Sequence, residues 1–307
     1  MKILSSLANK INTSENNVLS VLINAPNKYK VYTIPKRTHG RRTIAHPCKE
    51  LKELQRAFIE LQNFPVHANA MAYKKNYSIK DNALVHSKQQ YLLKIDLSNF
   101  FNSITPTIFW EAWKNKWPLP SIIDVKLMEN LLFWNRYADV KNDLVLSVGA
   151  PSSPAISNFC LYTFDEIMLR YCSEKSIFYS RYADDMTFST NVKDALFSVP
   201  SFVAEKLKDC FSLKIFINNQ KTVFSSKAHN RHVTGITITN DQTLSLGRNR
   251  KRYIKHLVHQ YKLRKLNEDD IKHLKGLLAF ANHIESRFIE SLKNKYSVNL
   301  MQEIIQG

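Results

Sequence analysis

The chain has 307 residues, enough for a sizeable core and more than one lobe but too few for a string of appended domains. Its 44 Lys and Arg against 26 Asp and Glu leave a formal charge of +18, an excess that points to a polyanionic partner, most often nucleic acid. No apolar run approaches the length of a membrane span, the N-terminal apolar stretch is too short for a signal peptide, and Cys48, Cys160, Cys172 and Cys210 lack metal-ligand spacing. A soluble, cytoplasmic protein with free thiols and no membrane partner is expected.

Residues 1 to 24 read as two short helices, the second from Glu15 to Ile23 with Thr13 and Ser14 as cap candidates. Tyr29 to Pro47 is a hairpin turning at Gly40, with Lys36, Arg37, Arg41 and Arg42 at its tip or edges. Such charge can protect an exposed edge, or its guanidinium groups can grip a triphosphate. Leu51, Leu54, Phe58 and Leu61 predict an amphipathic helix over 49–62 with that stripe in the core. Tyr77 to His86 is polar helix or loop, and Gln90 to Asp96 is an apolar strand ending in a carboxylate. Thr105 and Pro106 start a helix whose Trp110, Trp113 and Trp117 are packing residues. A second helix around Val125 to Trp134 and a loop through Asp139 to Asn142 follow.

From Gly149 to Pro154 small residues and two prolines make a rigid turn, close enough at Gly149 and Ala150 for a base pair to lie against it. Ser153 and Pro154 then open one long helix toward Tyr171, on which Asp165 and Glu166 read as solvated or structural. Phe178 to Ser189 is a hairpin with Ala183, Asp184 and Asp185 at its corner. An Asp-Asp turn is ordinarily a solvated corner, but Asp96 supplies a third carboxylate in a matching setting. Like charges this close raise each other's pKa unless a cation sits beside them. A strand bringing Asp96 next to Asp184 would clamp two magnesium ions about 4 Å apart, the arrangement for in-line phosphoryl transfer.

Downstream, Ser201 to Phe211 is helical, and Leu213 to Ile217 and Lys221 to Phe224 read as strand, turn and strand. Val233 to Ile238 and Thr243 to Leu246 read as a hairpin turning at Asn240 and Asp241. His229 and His232 have ligand-like spacing without further ligands, so their stretch is read as an RNA contact rather than a zinc site. Basic helices begin with Arg248, Lys251, Arg252 and Lys255, and Asn267 caps a later one; a domain boundary is expected near Ser245.

In order and spacing, Asp96-Leu97-Ser98-Asn99-Phe100-Phe101, Gly149-Ala150-Pro151-Ser152-Ser153-Pro154, Tyr182-Ala183-Asp184-Asp185 and Asn218-Asn219-Gln220-Lys221-Thr222 resemble the successive motifs of reverse transcriptases. Asn82-Ala83-Leu84-Val85-His86 and Val233-Thr234-Gly235 are similar to two signatures of bacterial retron reverse transcriptases. The resemblance covers nearly the whole chain. It implies an α+β right-hand polymerase: fingers over 1–90 with 104–148 partly returning, a palm of antiparallel sheet flanked by helices over 91–244, and a small helical, RNA-binding thumb over 245–307.

The same resemblance implies an RNA-directed DNA polymerase that copies a cognate structured noncoding RNA into branched, RNA-linked single-stranded DNA. Priming would come from a guanosine 2′-hydroxyl, and the setting would be anti-phage defence beside an effector or toxin protein. Template trimming would fall to host RNase H, because no second set of nuclease acids is left over. By motif position, Asp96, Asp184 and Asp185 are the catalytic ligands of two Mg2+ ions. Phe101 is the steric gate against ribonucleotides, and Arg41 or Arg42 the triphosphate clamp. Gly149, Ala150 and Lys221 lie at the incoming dNTP. RNA contacts are expected of Asn82, His86, Val233, Thr234, Gly235, Arg248, Lys251, Arg252 and Lys255. One departure is Ser147-Val148 in place of Pro-Gln, which removes an amide that could bond substrate. The alternatives are an intron-type or defence-type reverse transcriptase, or a largely non-catalytic RNA-binding scaffold for a toxin partner.

Overall fold

The computed structural model describes residues 2–36, 40–136 and 143–306; Arg37 and the loop expected at Asp139 to Asn142 lie outside them. Helices α1 (Ile3–Ile11) and α2 (Glu15–Leu22) come first, and the Ser14 hydroxyl caps α2 by accepting from Asn17 N. Strands β1 (Tyr29–Pro35) and β2 (Arg41–Pro47) form the basic hairpin. Helix α3 (Lys49–Gln62) buries Leu51, Leu54 and Phe58, while Leu61, expected on the same stripe, is exposed. Helix α4 (Ile79–His86) opens with a capping box between Ser78 and Asp81.

Strand β3 (Tyr91–Asp96) lies inside a four-stranded antiparallel sheet ordered β6-β7-β3-β8, with β6 (Phe178–Tyr182), β7 (Asp185–Thr190) and β8 (Val223–Ser226). Between β3 and β6 come α5 (Phe100–Ser103), α6 (Pro106–Lys114), α7 (Ile122–Leu132), and the short pair β4 (Trp134–Asn135) and β5 (Leu144–Val145). The helix expected from Ser153 to Tyr171 is two, α8 (Ser153–Cys160) and α9 (Tyr162–Glu174), because Leu161 at φ −91°, ψ 3° leaves the helical region between them. After α10 (Val199–Phe211), Ser212 and Leu213 both take positive φ, so no strand forms over Leu213 to Ile217. Only Ile217 bridges to Leu97 before β8 begins.

Strands β9 (Arg231–Val233), β10 (Ile236–Ile238) and β11 (Leu244–Ser245) make a second antiparallel sheet. Thr234 and Gly235 are its first turn rather than strand, with φ 47° and 80° at both central positions, the left-handed pair that matches strand twist. Helices α11 (Arg248–Lys262), α12 (Glu268–Ile284), α13 (Ser286–Tyr296) and α14 (Val298–Gln306) complete the chain. No helix among the described residues is long and apolar enough to cross a membrane.

Side chains on a strand alternate between faces, and β3 uses this to divide two cores. Leu93 and Ile95 face a large core with α1–α3 and α5–α10. Its aromatic centre sets Phe64 against Phe109, Trp113, Trp117 and Phe159, as the tryptophan spacing predicted. Fully buried Phe109 and Phe159 each contribute roughly 1.5–3 kcal/mol. Leu92 faces a second core, shared by Ala83 of α4, β9–β11 and α11–α14. The change of core therefore falls before Arg231 rather than near Ser245, because β9–β11 bury Val233, Ile236 and Ile238 against the C-terminal helices.

Candidate active site

The register of β3 against β7 sets Asp96 directly opposite Asp185. Tyr182 pairs with Asp185, leaving Ala183 and Asp184 as a two-residue turn, and Leu97 N donates to Asp184 O at 3.0 Å. Ala183 takes φ 57°, a position glycine fills more cheaply. The turn is held from beneath by buried Arg181, whose Nη1 donates to Ala183 O and to Asn158 Oδ1, both at 3.1 Å. The guanidinium forks onto Asp165 at 2.9 and 2.6 Å, and Tyr179 Oη donates to the same carboxylate at 2.7 Å. Asp165 is thus structural, and Glu166 is exposed. A fully buried fork of this kind leaves an uncompensated charge when one partner is removed.

Electrostatics mark the tip as short of positive charge. Burial pushes the Asp184 carboxyl up, and the Asp96 carboxylate adds to it, while Lys221 and Arg42 pull against both. Burial of its carboxyl among the tip residues pushes Asp185 up to about 6 although the residue as a whole is exposed, with Asp184 and then Asp96 adding repulsion. Lys221 Nζ lies 2.9 and 3.0 Å from the two Asp96 oxygens, and Asn218 Nδ2 donates to Oδ2 at 3.1 Å. Among the described residues no three His, Cys, Asp or Glu side chains converge on one point as they stand, and Asp96 is ion-paired to the Lys221 ammonium. The donor set nevertheless suits a hard divalent cation: carboxylate oxygens only, already drawing in a positive group.

The hairpin separates its two arginines. Arg41 spends its guanidinium on Thr33, Nε to Oγ1 at 2.7 Å and Nη2 to the carbonyl at 3.1 Å. Its neighbour on the opposite face, Arg42, acts on Asp184. Phe101 is half-buried on α5, its ring 5.3 Å from that of Phe100. The basic hairpin packs closely against the small-residue loop at Gly149: a Cβ there, at φ 130°, would lie 2.9 Å from Ala45 O. Ala45 N donates to Val148 O at 3.1 Å, and the Ser147 hydroxyl donates to Ala45 O. The unusual Ser147-Val148 pair therefore stitches loop to hairpin through groups any sequence motif would overlook, and Ala150 is buried beside it.

Asn82 and His86 do not reach a surface where RNA could meet them. Both are buried, and their polar atoms bond to Ser180, Ser189 and Thr234. Burial pushes His86 down to about 3, so its ring is neutral. Val233 is likewise buried in the second core, leaving half-buried Thr234 and exposed Gly235 as the accessible part of that signature. Arg231 is also buried, donating to the Gln89 and Thr239 carbonyls, so it makes no surface contact. On α11, Arg248, Arg252 and Lys255 share an exposed stripe with His259 and Lys262, at helical spacing and opposite buried Ile254, Leu257 and Val258. Lys251 departs from the expectation: it is half-buried and ion-paired to Glu285, which also accepts from Ser245 Oγ and Leu246 N.

Sequence reasoning missed Tyr73. It is exposed at φ 59° on the loop before α4, where Met71 N donates to Arg181 O and Arg181 N to Asn69 O, each at 2.8 Å. Its hydroxyl is pushed up by burial and then by Asp184, and held down by Arg42, which puts it at the acid cluster. The run Tyr73-Lys74-Lys75-Asn76-Tyr77 interleaves aromatic and basic residues and was the available signal.

The family profile described as reverse transcriptase (RNA-dependent DNA polymerase) matches residues 34–238. The chain is 50% identical over 278 residues to Retron Ec83 reverse transcriptase of Escherichia coli, covering 90% of this chain and 89% of that protein. To Retron Ec73 reverse transcriptase of Escherichia coli it is 32% identical over 298 residues, covering 90% of each. Apo telomerase from Candida tropicalis shares the fold at TM-score 0.51 and 12% identity, over 89% of this chain but only 58% of that one. The match takes in the basic hairpin, the central strand and the acidic turn, and the chain belongs to the retron reverse transcriptases, RNA-directed DNA polymerases.

Proposed function

We propose that this enzyme uses dNTPs to copy a cognate structured noncoding RNA into single-stranded DNA that stays joined to the RNA at a guanosine 2′-hydroxyl. It works in the cytoplasm as part of anti-phage defence, beside an effector protein encoded nearby, and host RNase H trims the template. The observation that carries the catalytic part is Asp96 opposite Asp185, beside Asp184, on strands that cannot slip without turning their side chains to the other face. The branched product rests on kinship with retron enzymes.

Asp96 and Asp184 would hold two Mg2+ ions, with Asp185 completing the cluster. When bound, the ions neutralise charge on the phosphate under attack and on the leaving group. Lys221, whose side chain is 62% exposed, leaves Asp96 for phosphate oxygens of the incoming nucleotide. Arg42 is the triphosphate clamp in preference to Arg41, which is committed to Thr33. The ring of Phe101 bars a 2′-hydroxyl, and the loop at Gly149 and Ala150 sets the back of the nucleotide site. Fingers (2–90 with 104–148), palm (91–226) and thumb (231–306) are the working parts, and the exposed stripe of α11 grips RNA phosphates.

The test is the product. Protein expressed with its native locus should carry DNA that keeps a short RNA remnant after ribonuclease and is freed by a debranching enzyme. An unbranched DNA begun from a 3′-hydroxyl would overturn this reading.

A further inference from the structure

The two retron signatures, far apart in the chain, meet inside the molecule. A single run of hydrogen bonds joins them: Ser189 Oγ to His86 Nδ1 at 2.7 Å, His86 Nε2 to Ser180 Oγ at 2.7 Å, Ser180 Oγ to Asn82 Oδ1 at 2.6 Å, and Asn82 Nδ2 to Thr234 Oγ1 at 3.5 Å. Thr234 Oγ1 then donates to Ile79 O at 3.3 Å. Each hydroxyl has one proton, so the donation by Ser180 to Asn82 requires His86 to carry its proton on Nε2. At its pKa of about 3 the ring stays neutral and the order of donors holds.

Helix α4 is bound on two sides. One side clasps β6 and β7 through His86 and Asn82, and β6 ends at the Ala183-Asp184 turn. The other side belongs to the second core through Ala83. At its N-terminal end Lys80 Nζ donates to His283 O at 2.7 Å, and Ser78 Oγ lies 3.3 Å from His283 Nε2. Arg250 of α11 in turn donates to Gly235 O at 3.3 Å. The acidic turn and α11 are therefore linked through α4 in short steps: α4 bonds β6, which runs into the turn, and bonds Thr234, whose neighbour Gly235 accepts from Arg250 of α11.

We propose that α4 is a strut coupling the seating of nucleic acid on α11 to the alignment of Asp184, with Asn82, His86 and Thr234 as positioning residues. This rests on the reading of the α11 stripe as a nucleic-acid grip. Direct recognition of RNA bases by Asn82 and His86 is excluded by their burial, yet their loss would disturb synthesis, because a small misplacement of the turn is felt strongly in rate. Coupling of this kind is a difference in free energy between two seatings of one element, and it must be measurable from either end.

The experiment compares wild type, Thr234→Ala and Thr234→Ser as full chains, with an annealed RNA template and DNA primer as the probe in metal-free buffer. Hydrogen exchange is followed over residues 178–186, binding by titration, and turnover separately with metal and dNTPs. In wild type the duplex should slow exchange over 178–186. Thr234→Ala should bind the duplex nearly as well, lose that added protection, and fall about tenfold or more in kcat with little change in the KM for dNTP. Thr234→Ser, which keeps the hydroxyl, should restore both. If Thr234→Ala does not fold, Lys80→Ala removes the exposed anchor of the same helix and should show a smaller loss of the same kind. Full duplex-induced protection in a variant that folds overturns the strut. Wild type whose binding is indifferent to Arg252→Ala with Lys255→Ala overturns the grip reading, and the strut with it.

Discussion

His86 gives a pH dependence whose sign and size follow from its burial. Its ordinary value is 6.5 and its value in the fold is about 3, because the ring is fully enclosed and desolvation penalises the charged form. The unfolded chain therefore takes up a proton below 6.5 that the folded chain refuses until about 3. Stability from this group is complete above 6.5 and is lost as pH falls, at a slope approaching 1.36 kcal/mol per pH unit. From about pH 7 to about pH 5 the loss is about 2 kcal/mol. Asp184 and Asp185 act oppositely, since their folded pKa values are raised and folding gains as pH falls through them, so the group must be isolated by difference. His86→Gln cannot titrate and can serve only part of the demand from Ser180 and Ser189, which costs about 1–3 kcal/mol at neutral pH. Urea unfolding followed by the fluorescence of Trp110, Trp113 and Trp117 should show a wild-type loss between the two pH values larger than the variant's by about 2 kcal/mol, at similar m. Equal losses in both proteins would refute a buried neutral His86.

Asp184→Asn or Asp96→Asn should abolish primer extension while gel shifts show RNA binding largely kept, and normal extension by either would sink the two-metal assignment. Phe101→Ala should raise ribonucleotide incorporation relative to deoxyribonucleotide; unchanged discrimination would mean the gate lies elsewhere. Neutralising Arg252 and Lys255 should flatten the log-log salt dependence of RNA binding by roughly 0.7–0.9 per contact, whereas neutralising Lys251, already paired to Glu285, should leave the slope as it is. Gly149→Ala should lower stability by roughly 1–3 kcal/mol, because its φ of 130° is costly for alanine and the new Cβ would press on Ala45 O; thermal unfolding checks it.

Local chemistry was enough for much of this. The acidic hairpin, the apolar strand ending at Asp96, the basic hairpin and the amphipathic helices are periodic or turn-coded features that a few consecutive residues specify. The order and spacing of the motifs pointed to the family by resemblance, whereas the chemistry itself needs those residue types only in one spatial arrangement. Burial was not legible in this way. Asn82 and His86 are polar residues on a short helix with nothing local to mark them as interior, and only the packing of α4 between sheet and second core makes them so. The same holds for Lys251, which a basic run presents as surface and Glu285, brought back at the start of α13, takes for itself. Arg41 and Arg42 are indistinguishable as neighbours in sequence. The pleat sends them to opposite faces, and only the position of the hairpin over the sheet decides which one meets Asp184. Pairings between distant segments depend on the whole chain closing on itself, and that closure is what tertiary structure alone decided.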